Sequence, residues 1–211
     1  MRSKYLDKKT VAKLRSVIGS EKWLPLRISL ETGLRIGDVV DISGKQFRRR
    51  RDPDKKTFSY FVRATAQKTR KTADFPVSEA LYNLVKKRYQ ELRAEDPENW
   101  FLFPSYGKSG HLTRQAAWAR MKRAAAALGI SGDGISPHSL RKCFAVALMH
   151  EHGLAAVRTA LQHSNDAVTR IYAYADTVLN FDSDEPIRWR DVELVCDYIR
   201  SRLHEETTKC P

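Results

Sequence analysis

Apolar positions in this chain recur at helical spacing toward both ends and gather into strand-like runs between them. Asp7 is placed to cap a helix over 8–17, whose Val11, Leu14 and Val17 share one face. The apolar stretch 23–30 follows and reads as a buried helix that stops at Thr32-Gly33, where glycine suits a C-terminal cap. A short helix then carries Arg35, Asp38, Val39 and Val40. Next the pattern changes: 45–51, 57–64 and 73–77 read as three strands, with turns at Asp52-Pro53-Asp54 and over 67–72. Helical spacing resumes at Leu81, Leu84, Val85 and Tyr89, and Phe101-Leu102-Phe103 forms a short buried piece. Thr113 is placed to cap a helix running to Leu128. Further helices are predicted over 138–150, 154–161 and 166–175. A last, amphipathic one over 191–203 sets Val192, Val195, Ile199 and Leu203 on one side. The predicted class is α+β, a mostly helical domain around a small three-stranded antiparallel sheet.

Composition narrows the setting. A chain of 211 residues can bury a core without crosslinks. Cys143, Cys196 and Cys210 are odd in number and lack paired spacing, which argues against a disulfide framework and for a reducing compartment. The first residues are charged, and no apolar run approaches the roughly 20 residues of a membrane span, so a cytoplasmic protein without a membrane partner is expected. Lys and Arg number 38 against 25 Asp and Glu, a net charge of +13 that concentrates polyanions, nucleic acid first among them. Much of the excess lies in the strand region. There Arg48, Arg49, Arg50, Arg51, Lys55, Lys56, Arg63, Lys68, Arg70 and Lys71 are set against Asp52 and Asp54. Arg48 to Arg51, Arg70 and Lys71 are expected to touch a DNA backbone; the alternative is a strand edge blunted by charge.

Candidate chemistry centres on Pro137-His138-Ser139-Leu140-Arg141. On a helix His138 and Arg141 project from the same face, where an imidazole can exchange a proton while a guanidinium neutralises phosphate charge. Such a pair is common on helix surfaces and gains meaning from its company. Upstream stands Thr32-Gly33-Leu34-Arg35-Ile36-Gly37-Asp38, and Gln67-Lys68 lies in the basic hairpin before Pro76. Downstream, Leu161-Gln162-His163-Ser164 is followed by Tyr172 in Arg170-Ile171-Tyr172-Ala173-Tyr174. In this order and at these intervals the blocks resemble the signature of the tyrosine recombinases of the phage-integrase family. That signature has Arg in a TGLR-type turn, Lys in a hairpin, HxxR, then an LGH block and Tyr. The resemblance spans about 8–176. It departs at Gln162, where Gly is usual, and at Lys142, where His often follows the motif Arg.

The resemblance implies that family's catalytic-domain fold and a division of labour. Arg35 and Arg141 would clamp the scissile phosphate, and Tyr172 would attack it, forming a 3′-phosphotyrosyl bond and freeing a 5′-hydroxyl. His138 would take the phenolic proton, Lys68 would protonate the leaving oxygen, His163 would hydrogen-bond the phosphate, and Asp38, one turn from Arg35, would support the site from behind. The bland readings are an Arg35–Asp38 pair, a solvated Lys68 in a charge run, and Tyr174 as packing. Arginines take the electrostatic role metals fill in many nucleases, so no metal and no cofactor are expected. His150-Glu151-His152 reads as solvated helix positions, because adjacent residues diverge. The implied partners are double-stranded DNA and further copies of the chain, in a tetramer on DNA. Residues 1–176 would form the catalytic domain without the N-terminal core-binding domain most members carry. Residues 177–211 would form a tail that docks on a neighbouring protomer, with Trp189 as an anchor, or folds back. Relaxation of DNA in the manner of type IB topoisomerases, and non-catalytic DNA-binding regulation, stand as alternatives.

Overall fold

The computed structural model describes residues 3–52, 56–68 and 70–161. His163, Tyr172 and the predicted helices over 166–175 and 191–203 lie outside these residues.

Helix α1 (Lys8–Ile18) starts at Asp7, whose carboxylate accepts the Thr10 N–H at 2.8 Å. Helix α2 (Ser20–Thr32) buries Trp23, Leu24, Leu26 and Ile28, apolar on several sides, and so runs through the interior. It ends at Gly33 with φ +67°, the left-handed conformation glycine adopts without strain. A short α3 (Ile36–Val40) and a 3-10 turn (Gly44–Gln46) lead into the sheet.

Strands β1 (Phe47–Arg51), β2 (Phe58–Ala66) and β3 (Lys71–Pro76) form an antiparallel sheet in the order β1-β2-β3. Helix α4 (Glu79–Glu95), capped by Ser78, packs on the sheet face that carries Phe47, Val62, Ala64 and Phe75. Helix α5 (Arg114–Ala127) starts at Thr113 as expected, with the threonine hydroxyl accepting the Ala116 N–H at 3.2 Å. Helix α6 (Pro137–Leu161) packs against α2 and adds Leu140 and Cys143 to the hydrophobic core. No helix among the described residues is long and apolar enough to cross a membrane.

The α+β architecture is as predicted, with two local corrections. The predicted helices over 138–150 and 154–161 share the helical run α6, which doubles back on itself: Arg141 reaches the Leu161 carbonyl, and a straight helix would set residues that far apart at about 30 Å. Lys45 stands in the 3-10 turn instead of a strand, because Ser43 and Gln46 close a reciprocal capping box around it. The β2–β3 turn is tighter than 67–72, since Ala66 and Lys71 already pair across it.

Candidate active site

Four chain segments converge on one cleft of about 850 Å³, lined among others by Arg35, Lys68, His138 and Arg141. Arg35 precedes α3 in an extended conformation, its carbonyl accepting the N–H groups of Asp38 (2.9 Å) and Val39 (3.0 Å). Gly33 makes this presentation possible. A Cβ there would fall 2.4 Å from the Phe144 ring and 2.8 Å from Leu161, so its bareness lets α6 pack directly on the turn. Lys68 is exposed in the β2–β3 turn, and His138 and Arg141 lie in the first turn of α6.

Arg141 is buried at 3% exposure, and this shapes its role. Its Nη1 donates to the Gly33 carbonyl, and its Nη2 donates to the Leu161 carbonyl at 3.0 Å. One guanidinium thus ties the turn that presents Arg35 to the end of α6, where the Leu161-Gln162-His163 block begins. The side chain forms a wall of the cleft and a clasp between two backbone segments.

Asp38, one turn from Arg35, reaches across to the hairpin. It is buried, and its Oδ1 accepts the Gln67 N–H at 3.1 Å, anchoring the hairpin that carries Lys68. Its Oδ2 has no hydrogen-bond partner among the described residues. Desolvation pushes this carboxyl above the ordinary range, opposed by the Gln67 N–H and by the charges of Arg35 and Arg141.

His138 is pushed down to about 4. Desolvation by the cleft walls comes first, followed by the positive charges of Arg141, Lys142 and Arg35. Lys142, where the sequence departs from the family pattern, therefore adds to the shift; its Nζ also donates to the Ser3 carbonyl. His138 keeps an exposed edge toward the cleft, so a bound anion can offset the cationic contribution.

The cleft also contains residues the sequence reading did not single out: Arg114, Gln115 and Trp118. Trp118 is 44% exposed, with its indole N–H donating to the Ile135 carbonyl at 3.1 Å and the Lys122 ammonium 5.1 Å from its ring centroid. The i, i+4 pair Arg114 and Trp118 on a helix with a threonine cap was a signal that could have found them.

The expected DNA-contacting arginines lie outside the cleft and on two faces. Arg48 pairs with Phe61 and Arg50 with Ser59, while Arg49 pairs with Tyr60 and Arg51 with Phe58. Cross-strand partners share a face, so Arg48 and Arg50 join Arg63 on the side away from α4, whereas Arg49 lies over Phe58 at 4.8 Å on the other. Asp74 opposes the cations: Arg50 and Arg63 reach it at 3.8 and 3.4 Å. Arg70 is exposed in the turn with φ +55°, and Lys71 is exposed at the start of β3.

The sequence and the fold are similar to those of known proteins. The model of the phage integrase family matches residues 4–177. Over 100 residues the chain is 40% identical to the tyrosine recombinase XerD of Rhizobium meliloti (strain 1021), covering 47% of this chain and 32% of that protein. Over 75 residues it is 44% identical to the XerD of Bradyrhizobium diazoefficiens, covering 35% and 24%. The fold is similar to the XerH site-specific recombinase bound to palindromic difH substrate in a post-cleavage complex. That match has a TM-score of 0.67 and 20% identity, over 83% of this chain and 51% of that one. It is also similar to the catalytic domain of bacteriophage HP1 integrase, at TM-score 0.52 and 20% identity, over 82% and 89%. The matched stretches thus span about a third or less of the curated relatives. The chain belongs to the phage integrase family and has the fold of a tyrosine recombinase catalytic domain.

Proposed function

We propose that this chain breaks and rejoins DNA strands at specific sites by transesterification at Tyr172. The observation that carries the reading is the convergence of Arg35, Lys68, His138 and Arg141 on one cleft from separate parts of the chain. Two cationic side chains, one proton donor and one neutral imidazole are what an uncatalysed phosphodiester lacks.

In this reading the Tyr172 oxygen attacks phosphorus in line and the bond to the 5′-oxygen breaks. The phenol, with an ordinary pKa of about 10, must lose its proton. His138 receives it, because an imidazole pushed down to about 4 is neutral at physiological pH. The Lys68 ammonium gives a proton to the departing 5′-oxygen. Arg35 and Arg141 offset the charge that builds on the phosphoryl oxygens, and His163 donates a further hydrogen bond. The phosphotyrosyl bond retains the energy of the broken one, so a 5′-hydroxyl from another strand can reverse the sequence and complete an exchange. Residues 1–176 would carry the chemistry, and 177–211 would join protomers in a tetramer on DNA.

The test begins with a library of duplexes whose central sequence is randomised and which carry nicks that trap a cleaved strand. A protein–DNA adduct that survives denaturing electrophoresis is expected, and sequencing it reveals the preferred site. Tyr172→Phe should form none. Absence of any wild-type adduct, or its persistence in Tyr172→Phe, overturns the reading.

A further inference from the structure

Lys68 lies in a turn between two strands, and its neighbour Gln67 is held by bonds from outside the sheet. The Gln67 N–H donates to Asp38, and its side-chain Nε2 donates to Asp41 Oδ2 at the end of α3. Asp41 is itself gripped from its other side, with Oδ1 3.2 Å from His111 Nε2.

His111 is well fixed for that purpose. Its Nδ1 lies 2.9 Å from the Leu112 carbonyl, and its ring packs on Phe101 with centroids 4.6 Å apart. The backbone around it is paired: His111 bridges Pro104, the Leu112 N–H donates to Phe103 at 2.8 Å, and the Leu102 N–H donates to Ile42 at 3.2 Å. The last bond returns to the residue beside Asp41. A closed circuit therefore runs from the end of α3 through the 101–112 loop and back to Asp41, with Gln67 as its outlet to the hairpin.

We propose that Asp41 and His111 are positioning residues that hold the Lys68 ammonium at the leaving 5′-oxygen by way of Gln67. The inference rests on the role of Lys68 given above. The physical reason is that a short turn at the end of a two-stranded ribbon swings unless its base is fixed, and proton transfer needs hydrogen-bond distance at the moment the P–O bond breaks. Asp38 fixes the backbone of Gln67, and Asp41 fixes its side chain. Together they set the orientation of the next residue, Lys68. Neither Asp41 nor His111 lines the cleft, so both act on the chemistry through another residue.

Leaving-group chemistry separates this role from a general loss of structure. The captured site is made as two duplexes, one with an ordinary 5′-bridging oxygen and one with sulfur in its place. With oxygen, P–O cleavage requires the Lys68 proton. With sulfur, the P–S bond breaks to a thiolate that needs no proton. Asp41→Ala and His111→Ala should cleave the oxygen duplex about tenfold to a hundredfold more slowly than wild type. On the sulfur duplex they should match it, as should Lys68→Ala. His111→Gln, which keeps a donor toward Asp41, should recover part of the oxygen rate. Wild-type rates with both duplexes, or equal losses with both, would overturn the inference. If Lys68→Ala is not restored by sulfur, the general-acid role of Lys68 fails instead. An independent reading comes from NMR of the full chain: the Gln67 side-chain NH2 should lose its protection from exchange in Asp41→Ala while the core strands keep theirs. Unchanged protection of that NH2 removes the anchor whatever the cleavage rates show.

Discussion

Arg141 ends on two backbone carbonyls deep in the protein, so removing it should have a structural effect beyond any on catalysis. Arg141→Ala leaves both carbonyls without that donor, a loss of about 3 kcal/mol in urea unfolding. Arg35→Ala, half-buried and beside the cleft, should lose under about 1 kcal/mol. Equal stability of the two variants would remove the clasp. His138 makes a prediction of the same scale. Its imidazole, lowered from 6.5 to about 4, binds its proton more weakly in the folded chain than in the unfolded one. Between these values the unfolded chain holds more protons, so stability falls as pH drops from about 6.5 toward 4. His138→Gln should flatten that part of the stability curve. NMR titration of the ring should give a midpoint near 4 in the free protein and a higher one on duplex DNA, where phosphate offsets Arg141, Lys142 and Arg35. A midpoint at 6.5 in the free protein would contradict this cause of the shift.

Elements meet at Gly33, where the end of α2 touches α6 at Phe144 and Leu161. Gly33→Ala forces a methyl to φ +67° and within 2.4 Å of the Phe144 ring, so a loss of about 2–4 kcal/mol is expected. Phe144→Leu opens space at that contact, and in the double variant the two losses should add to less than their sum; strict additivity would place the strain in the backbone alone. Helix caps, the strand run and the short α3 were legible because their signals are local: Asp7, Thr113, the basic alternating segment and the Thr32-Gly33 stop each act within one turn. The folding back of α6, which brings Leu161 to Arg141, was not, because it depends on contacts between residues twenty apart. In the cleft, Arg35, Lys68, His138 and Arg141 were found through ordered motifs. Arg114 and Trp118 belong to no such motif, and folding brings them into the cleft, while Asp41 and His111 reach it only through Gln67. The bond from Asp38 to Gln67 likewise spans distant segments, so the sequence places Asp38 near the site without showing what it holds.

Across the whole molecule the net charge of +13 is distributed by strand alternation as well as by sequence. Arg48, Arg50 and Arg63 share the sheet face away from α4, while Arg49 lies over Phe58 on the face that α4 occupies. If DNA approaches the open face, only the first set releases counterions. Each phosphate neutralised contributes about 0.9 to the slope of log K against log salt. Arg48→Gln with Arg50→Gln should therefore reduce that slope by up to about 1.8, read by fluorescence anisotropy on a duplex of arbitrary sequence. Arg49→Gln should change it less. Asp74 supplies the converse test, because its carboxylate draws Arg50 and Arg63 inward at 3.8 and 3.4 Å. Asp74→Asn keeps the shape and removes the competing anion, so duplex binding should tighten and its salt dependence steepen. Weaker binding in Asp74→Asn would mean that the carboxylate orders the arginines for DNA instead of competing with it. An unchanged slope in both sets of variants would place the DNA on another face of the molecule.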